Sequence, residues 1–194
     1  MKKINRCAWA QTDPLYIEYH DNEWGVPLHD DKKLFELLVL EGFQAGLSWI
    51  TILKKRKNFA KAFSQWNWDI VASYGSDDRE RLINDPGIIR NRLKINAAIN
   101  NANRFIEIRK EFGSFDNYIW RFTDFKTVYP AIAPKEWSDL PVRTAQSDAM
   151  SKDLKKRGFS FCGSVICYAY MQATGIVNDH LVDCFKFHLF DTIK

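Results

Sequence analysis

The chain has 194 residues, of which 46% are hydrophobic and 27% are charged. This balance is typical of a globular protein and argues against a disordered chain, a collagen or a coiled coil. No stretch approaches the roughly 18 uninterrupted apolar residues of a membrane span, and the residues after Met1 lack the apolar core of a secretory signal. We therefore expect a cytoplasmic protein. The net charge of +4 is compatible with a nucleic-acid partner but does not require one.

The apolar periodicity predicts helices joined by short turns, and no convincing pair of strands. In chain order, helices are predicted over about 31–41, 49–63, 69–74, 77–84, 90–112, 115–122, 147–158 and 164–174. Candidate N-caps are Asp30, Ser48 and Ser114. Residues 123–143 hold three of the six prolines and are predicted to form a loop. The predicted fold class is all-α.

Cysteine and histidine residues lie near both ends of the chain in a pattern that suits a metal. His180 and Cys184 are four residues apart, which places both side chains on one face of a helix. Cys7 and His20 would complete a set of two thiolates and two imidazoles, the usual composition of a closed structural zinc site. Such a site would join the N-terminal segment to the C-terminal segment.

The spacing leaves other ligand sets open. His29 or His188 could replace a histidine of the set, and Cys162 or Cys167 could replace a cysteine. Cys162 and Cys167 lie in an apolar run, where a cysteine is most often a small buried hydrophobic residue. All eight residues could also be unrelated core or surface residues.

Basic residues form three short runs, and one of them follows a predicted hairpin. The runs are 54–57, then Arg90, Arg92 and Lys94, then Lys152 and 155–157. Each run could be a solvated helix face, whereas three runs near helix ends suggest phosphate contacts. Residues 82–92 predict a helix, a turn at Pro86 and Gly87, and a second helix, whose first N–H groups a phosphate could reach. This pattern is typical of a helix-hairpin-helix, which binds the DNA backbone without reading sequence, and also of an ordinary helical hairpin.

Aromatic residues in the first part of the chain surround one acidic residue, Glu41. They are Trp9, Tyr16, Tyr19, Trp24 and Trp49. A carboxylate beside flat rings suits a planar, electron-poor ligand, because the rings stack on it and the carboxylate accepts from its N–H groups. The alternative is an aromatic core with one ion-paired Glu41. The remaining tryptophans are interpreted as packing residues: Trp66, Trp68, Trp120 and Trp137.

Seven segments together resemble one known family. They are Arg6-Cys7-x-Trp9, Asp13-Pro14-Leu15-Tyr16, residues 19–25 (YHDNEWG), residues 40–51 (LEGFQAGLSWIT), Gly87-Ile88-Ile89-Arg90, residues 154–159 (LKKRGF) and Asn178-Asp179-His180. By these motifs, which extend over about residues 4–184, the chain resembles the 3-methyladenine DNA glycosylase I family. That family is part of the helix-hairpin-helix DNA glycosylase superfamily.

The resemblance implies a single glycosylase unit over residues 1–194, with two helical lobes sharing a base-binding cleft. It implies base excision repair, in which 3-methyladenine is flipped out of alkylated double-stranded DNA and removed by hydrolysis to leave an abasic site. The implied partners are DNA and the released base, with no membrane and no obligate protein partner.

The resemblance also assigns residues. It implies a structural Zn²⁺ held by Cys7, His20, His180 and Cys184. It implies a base pocket in which Glu41 is the catalytic residue, Trp49 stacks on the base, Tyr16 and Tyr19 bind it, and Trp9 and Trp24 form the wall. It implies DNA contacts at Gly46, Leu47, Gly87, Arg90 and Lys155.

Two features depart from what the wider superfamily would provide. Many of its members carry a catalytic Asp after the hairpin, whereas residues 92–104 contain no acidic residue. This absence is physically reasonable, because 3-methyladenine in DNA is cationic and therefore already a good leaving group. Residues 185–194 match no motif of the family, so His188 stays unassigned.

Overall fold

The computed structural model describes residues 4–189, and the regular structure in this range is helical. The helices are α1 (Pro14–Asn22), α2 (Asp31–Gln44), α3 (Trp49–Ala62), α4 (Trp68–Ala72), α5 (Ser76–Asn84), α6 (Arg92–Phe112), α7 (Phe115–Trp120), α8 (Ala145–Lys156) and α9 (Ser164–Ala173). Short 3-10 helices cover Ala8–Ala10, Ser64–Trp66, Arg121–Thr123 and Trp137–Asp139. One isolated parallel β-bridge joins Val128 to Val177. The predicted all-α class is confirmed, and none of the described helices has the length and apolar character to cross a bilayer.

Helix α6 is the centre of the packing and contacts α2, α4, α5 and α7. Phe105, in its middle, is fully buried with its ring 5.0 Å from that of Phe35 in α2 and 4.3 Å from that of Phe115 in α7. Aromatic pairs at these separations stabilise a core beyond the area they bury. Most of the buried apolar residues in the described range form one contiguous cluster.

Local capping explains where several helices begin. Asp30 accepts a hydrogen bond from the Lys33 amide, and Ser114 accepts one from the Asn117 amide, so both predicted N-caps are confirmed. Ser48 precedes α3 as predicted, but its hydroxyl pairs with the Thr51 hydroxyl at 2.8 Å instead of with the backbone.

Two predicted helix starts are wrong by two residues. Helix α8 begins at Ala145 and not at Ser147, because Thr144 and Ser147 exchange side-chain-to-amide hydrogen bonds across the first turn. Helix α6 begins at Arg92 and not at position 90, because Asn91 is its N-cap and accepts from the Lys94 amide.

The end of α2 also differs from the prediction. The sequence predicts that this helix ends at about residue 41, but α2 continues to Gln44. The buried ammonium of Lys94, in α6, donates to the carbonyls of Phe43 at 2.8 Å and Ala45 at 2.6 Å. It thereby satisfies carbonyls that the end of a helix leaves unpaired. The turn after α2 is in this way attached to α6.

Helix α1 is absent from the predicted elements. It begins at Pro14 after Asp13, whose side chain accepts from the Leu15 amide. Its pattern is the reverse of an ordinary amphipathic helix, because polar His20 is fully buried whereas apolar Leu15 is 39% exposed. Apolar periodicity could not have found it.

Candidate active site and metal centre

A cavity of about 300 Å³ opens between α1, α2, α3 and α9. This volume is at the lower end of the range for small-molecule sites, which is about 300–1,000 Å³. The lining includes all six residues predicted for the base pocket, Trp9, Tyr16, Tyr19, Trp24, Glu41 and Trp49. It also includes four residues that were not predicted there, Gln44, Trp137, Ala169 and Gln172.

Three helices each contribute two lining residues that are one turn apart. The pairs are Tyr16 and Tyr19 from α1, Glu41 and Gln44 from α2, and Ala169 and Gln172 from α9. Residues separated by three positions lie on the same helix face, so each helix turns one short face toward the cavity. Trp49 is the first residue of α3, which places its ring at the end of that helix.

Glu41 is a buried acid without a partner. The residue is 5% exposed, and within residues 4–189 no hydrogen bond or ion pair reaches its carboxyl group. Burial raises the pKa of Glu41 to about 8, because the charged form loses its water. An ion-paired glutamate, the alternative open from the sequence, is not what the structure contains. The carboxyl group can instead accept from, or donate to, a ligand in the cavity.

The aromatic residues present hydrogen-bond donors as well as flat surfaces. The Tyr16 hydroxyl accepts from the Ile50 amide at 3.0 Å, which leaves its own proton available. The indole N–H groups of Trp9 and Trp49 are buried, and no acceptor for them lies in the described part of the chain. A ligand that offers acceptors would therefore compensate for buried polar groups.

Of the four tryptophans that were interpreted as packing residues, three pack as predicted and one does not. Trp66 and Trp120 are buried, and Trp68 packs its ring 5.2 Å from that of Phe105, as predicted. The interpretation of Trp137 is wrong, since this residue is 51% exposed and lines the cavity. It belongs to the loop that follows Thr123, where no helical periodicity could relate it to the other rings.

The four residues predicted as metal ligands come together from both ends of the chain. Cys7, His20, His180 and Cys184 are all buried, and their ligand atoms lie within 4.8 Å of one another. Cys184 Sγ is 3.4 Å from His20 Nε2 and 3.7 Å from His180 Nδ1. Tetrahedral zinc, with bonds of about 2.3 Å to sulfur and about 2.0–2.1 Å to nitrogen, requires a sulfur-to-nitrogen distance of about 3.6 Å. The donor set and its spacing therefore fit zinc.

The outer nitrogens of both histidines have acceptors. His20 Nδ1 lies 2.9 Å from a carboxylate oxygen of Asp21, and His180 Nε2 lies 3.2 Å from the carbonyl oxygen of Trp24. If these nitrogens donate, His20 Nε2 and His180 Nδ1 carry free electron pairs toward the two sulfurs, as metal-ligating histidines do. Arg6 donates to both oxygens of Asp21 and holds the pKa of that carboxyl group below its usual value.

The alternative ligands lie elsewhere. Cys162 and Cys167 are buried near each other, and the Cys167 thiol donates to the Cys162 carbonyl at 3.3 Å. His29 pairs with Asp116 at 2.8 Å. His188, whose ring contacts that of Phe187, is not in the cluster. In the cluster, Cys184 has its pKa lowered by the neighbouring Cys7 thiol and the two imidazoles, which favours a thiolate.

The cluster of Cys7, His20, His180 and Cys184 lies directly behind the wall of the cavity. The Trp24 ring is 4.6 Å from the His180 ring and 5.1 Å from the Trp9 ring, and Trp24 and Trp9 both line the cavity. The sequence hints at this, because Trp9 follows Cys7 by two residues and Trp24 follows His20 by four.

Gly46 and Leu47, two of the residues predicted to contact DNA, form a turn beside the cavity. Gly46 has φ +79°, a left-handed conformation that favours glycine, and Leu47 is 37% exposed. The side chain of Gln44, a cavity-lining residue, donates to the Leu47 carbonyl at 2.7 Å. The same residue thus contributes to the cavity wall and fixes the exposed turn.

The connection between α5 and α6 spans residues 85–91. Gly87 is required there by close approach, because a Cβ would lie 3.1 Å from the Cβ of Asn58 and 2.9 Å from Asp85 Oδ1. Its amide donates to Asp85 Oδ1 at 2.7 Å and is therefore occupied. In the described range, the amides of Ile89 and Arg90 and the first two amides of α6, those of Arg92 and Leu93, have no acceptor and remain free for a phosphate. The Arg90 side chain is exposed, as is that of Lys155 in the last turn of α8.

Within the described residues, the protein is helical and holds a buried carboxyl group without a partner among aromatic rings, an arrangement that suits a planar, hydrogen-bonding ligand. Residues 9–187 match the family model described as methyladenine glycosylase. The chain is 50% identical to the DNA-3-methyladenine glycosylase 1 of Escherichia coli strain K12, over 93% of this chain and 96% of that protein. The chain belongs to the methyladenine glycosylase family.

Solved structures agree with this assignment. A crystal structure of a 3-methyladenine DNA glycosylase I superimposes with a TM-score of 0.90 at 49% identity, covering 93% of this chain and 98% of that one. A 3-methyladenine DNA glycosylase I from Staphylococcus aureus, studied for its recognition of 3-methyladenine, gives 0.88 at 38% identity, covering 94% and 96%.

Proposed function

We propose that this chain is a monofunctional DNA repair glycosylase. It flips 3-methyladenine out of alkylated DNA and hydrolyses the bond between the base and its sugar, leaving an abasic site. The observation that carries this proposal is Glu41, a buried acid with no partner within the described range, inside a cavity lined by aromatic rings. Membership of the methyladenine glycosylase family supports the same substrate.

Binding of the flipped base is the first task of the cavity. Extrusion of a nucleotide costs a few kcal/mol, which contacts in the pocket have to offset. Stacking of the cationic base on Trp49 contributes a cation–π attraction of about 0.5–2 kcal/mol. Glu41, as a carboxylate, accepts hydrogen bonds from the amino edge of the adenine, and the charge of the base strengthens them. Normal adenine is neutral and gains less, which provides selectivity.

The unpaired donors of the cavity suit the same ligand. The ring nitrogens of a purine are acceptors, whereas the proton of Tyr16 and the indole N–H of Trp9 are donors without acceptors in the described structure. Tyr19 lies 5.4 Å from Trp49, between ring centroids, and supports the stacking surface. Trp24 holds Trp9 in place from the side of the metal centre.

Hydrolysis then requires little more than a bound cation and water. Because 3-methyladenine in DNA is a good leaving group, the enzyme does not need the acidic residue that is absent from residues 92–104. The cavity as described has no lysine in its lining, so no amine is available there to attack the sugar carbon. Water is therefore the nucleophile, and the enzyme has no lyase step.

DNA binding is assigned to three exposed segments. Gly46 and Leu47 occupy the gap that the flipped nucleotide leaves in the duplex. The connection that contains Gly87 is a helix-hairpin-helix turn, which offers the Ile89 and Arg90 amides to a backbone phosphate. Arg90 and Lys155 add positive charge along the same strand.

A structural Zn²⁺ completes the proposal. Four protein ligands leave no open coordination position, so Cys7, His20, His180 and Cys184 would hold zinc for stability and not for catalysis. The thiols must stay reduced to bind the metal, which is consistent with the cytoplasmic location that we propose.

The deciding experiment identifies the released base. Duplex DNA methylated at adenine is incubated with the protein, and we expect free 3-methyladenine from the wild type. Glu41→Gln should bind the duplex with unchanged affinity but lose excision by about 100-fold or more, as when a group that contacts a developing charge is removed. Glu107→Gln is the matched control, because Glu107 is an exposed acid that pairs with Arg104. A wild type that releases no base would indicate a non-catalytic DNA-binding module, and unchanged excision by Glu41→Gln would exclude Glu41 from catalysis.

A further inference from the structure

Trp137 is the exposed ring of the cavity. It is 51% exposed, whereas the other five aromatic residues of the lining are buried or partly buried. Its ring lies 6.4 Å from that of Trp24, at an interplanar angle of 39°. Tryptophan buries a large apolar area when it can, so half of this ring is left available for a ligand.

The turn that carries Trp137 is held in place. Asp139 Oδ2 accepts from the amides of Lys135 at 2.9 Å and Glu136 at 3.0 Å, which closes the turn on itself. The Val182 amide donates to the Pro134 carbonyl at 2.8 Å and attaches the turn to the segment between His180 and Cys184. The ring therefore has a defined position relative to the metal centre and the cavity.

Ring contacts form a continuous series around the cavity, here called the aromatic arc. It runs from Trp49 to Tyr19 at 5.4 Å, to Trp9 at 6.4 Å, to Trp24 at 5.1 Å and to Trp137 at 6.4 Å. Trp49 and Trp137 are its two ends, both line the cavity, and they make no ring contact with each other within residues 4–189. All five rings of the aromatic arc line the cavity, so a ligand in the cavity lies against this arc.

We propose that Trp137 is a base-contacting residue, which covers the flipped 3-methyladenine on its solvent side and supplies a second aromatic surface in addition to Trp49. This inference rests on the proposed function and extends it. The flipped base removes water from the exposed half of the Trp137 ring, and the positive charge of the base is attracted by the indole face, the best cation–π acceptor among side chains.

The expected kinetic effect follows from where the contact acts. Stacking holds the base before and during bond cleavage to a similar extent, so its loss weakens binding of the damaged nucleotide more than it slows the chemical step. Trp137→Ala should raise KM about 3- to 30-fold, the range that a cation–π contact supports, with kcat changed less than about 3-fold. Trp137→Phe keeps a ring and should stay within about 3-fold of wild-type KM.

Two further variants distinguish loss of the proposed contact between Trp137 and the base from a general folding defect. Phe125→Ala removes another exposed aromatic residue of the same loop, 62% exposed and outside the cavity lining, and should leave KM unchanged. Asp139→Ala removes the carboxylate that closes the Trp137 turn, so it should raise KM in the same direction by a smaller factor. Thermal unfolding of each variant reports whether the fold is intact, and the half-exposed position of Trp137 predicts that Trp137→Ala folds normally.

The measurements are release of 3-methyladenine from methylated duplex at varied substrate concentration, and binding of the free base to each variant by quenching of tryptophan fluorescence. A raised KM and weakened free-base binding in Trp137→Ala, with recovery in Trp137→Phe, support the contact. A KM within about 2-fold of wild type, or equal losses in Trp137→Ala and Phe125→Ala, would overturn it. A wild type that releases no 3-methyladenine contradicts the proposed function instead, so the two failures are distinguishable. Should Trp137→Ala not fold, the same comparison is made with Asp139→Ala, and wild-type KM and wild-type free-base binding in that variant would overturn the contact.

Discussion

At the scale of single residues, burial controls the protonation of Glu41 and therefore how this residue can bind a cationic base. With its pKa raised to about 8 by desolvation, the side chain is mostly a neutral acid in the free protein at neutral pH. Its nearest titratable neighbours do not change this. Burial raises the pKa of Tyr19 and of Tyr170 well above the ordinary value, so both phenols stay neutral over the same pH range. A cationic base would restore the charged form, because it replaces the lost water with an opposite charge.

We therefore predict that kcat/KM for release of 3-methyladenine rises with pH to a plateau above about 8. Below that value Glu41 must lose a proton before it pairs with the base, so the rate should fall about tenfold per pH unit. The charge of the methylated base in DNA is fixed by the methyl group and does not titrate there. The test is a pH series at low substrate concentration, with Glu41→Gln as the control that lacks the ionisation. A wild-type profile that is flat between about pH 6 and 9 would contradict the prediction.

Some residues of the cavity could be predicted from the sequence, and others could not. Glu41 and the five early aromatic residues fall in the first four of the seven family motifs, and they do line one cavity. Trp137 and Gln172 join them from distant parts of the chain. Trp137 is held there by the hydrogen bond between Val182 and Pro134, a tertiary contact that no local pattern encodes. The functional roles of all these residues stay predictions until variants are measured.

At the scale of elements, α6 fixes the three segments assigned to DNA binding. Lys94, near its N-terminus, holds the turn after α2 through two carbonyls. The connection with Arg90 leads directly into its first turn. In its middle, Asn100 donates to the Gly158 carbonyl at 2.7 Å, which attaches the loop after Lys155. Arg92, Lys94 and Asn100 lie within eight residues of α6, so the three attachments are spread over about 12 Å along its axis.

This arrangement predicts that Arg90→Ala and Lys155→Ala each weaken duplex binding and reduce the slope of log affinity against log salt by about one unit, as loss of one phosphate contact does. Lys110→Ala is the matched control. Lys110 is exposed in the last turn of α6, about 27 Å along the helix axis from Arg92. Lys110→Ala should therefore leave the salt dependence of duplex binding unchanged. Binding is titrated at several salt concentrations. Equal slopes for Arg90→Ala, Lys155→Ala and wild type would place the DNA on another surface.

Element boundaries show where local rules suffice. Asp30 and Ser114 cap the helices that follow them, because an N-cap depends only on residues within one turn. The end of α2 depends on Lys94, about fifty residues further along the chain, so the predicted turn after Glu41 was too early. Helix α1 was missed by the sequence analysis because its buried residue His20 faces the cluster of Cys7, His180 and Cys184, which places a polar residue where an amphipathic helix usually has an apolar one.

At the scale of the whole molecule, contacts around the metal cluster join the two ends of the chain. The Phe185 amide donates to the Asn5 carbonyl at 3.0 Å, and buried Lys186 donates to the carbonyls of His20 and Asp21. A metal ion bound by both Cys7 and Cys184 would close a loop of nearly the whole chain. The conformational entropy that this closure removes from the unfolded chain grows with the length of the loop, so a bound metal would stabilise the fold. The grouping of the four Cys and His residues was predictable from composition and family motifs, and the position of Trp24 four residues after His20 hints at the contact with the cavity wall. Zinc itself stays a prediction. The predicted division into two lobes stays a prediction.

Loss of the metal should therefore destabilise the whole fold and distort the cavity. Cys184→Ala removes one ligand, and we expect the purified variant to lose its zinc and to unfold at least about 10 °C below the wild type, since a structural zinc site contributes several kcal/mol to folding. Excision should fall as well, because the rings of Trp24 and Trp9 pack against the cluster. Cys167→Ala is the control, as Cys167 is an equally buried thiol outside the cluster, and it should keep its zinc and lose only a few degrees. Metal analysis and thermal unfolding test both variants. A wild type that contains no zinc and unfolds at the same temperature with and without a chelator would contradict the metal site, and the ends of the chain would then be joined by hydrogen bonds and packing alone.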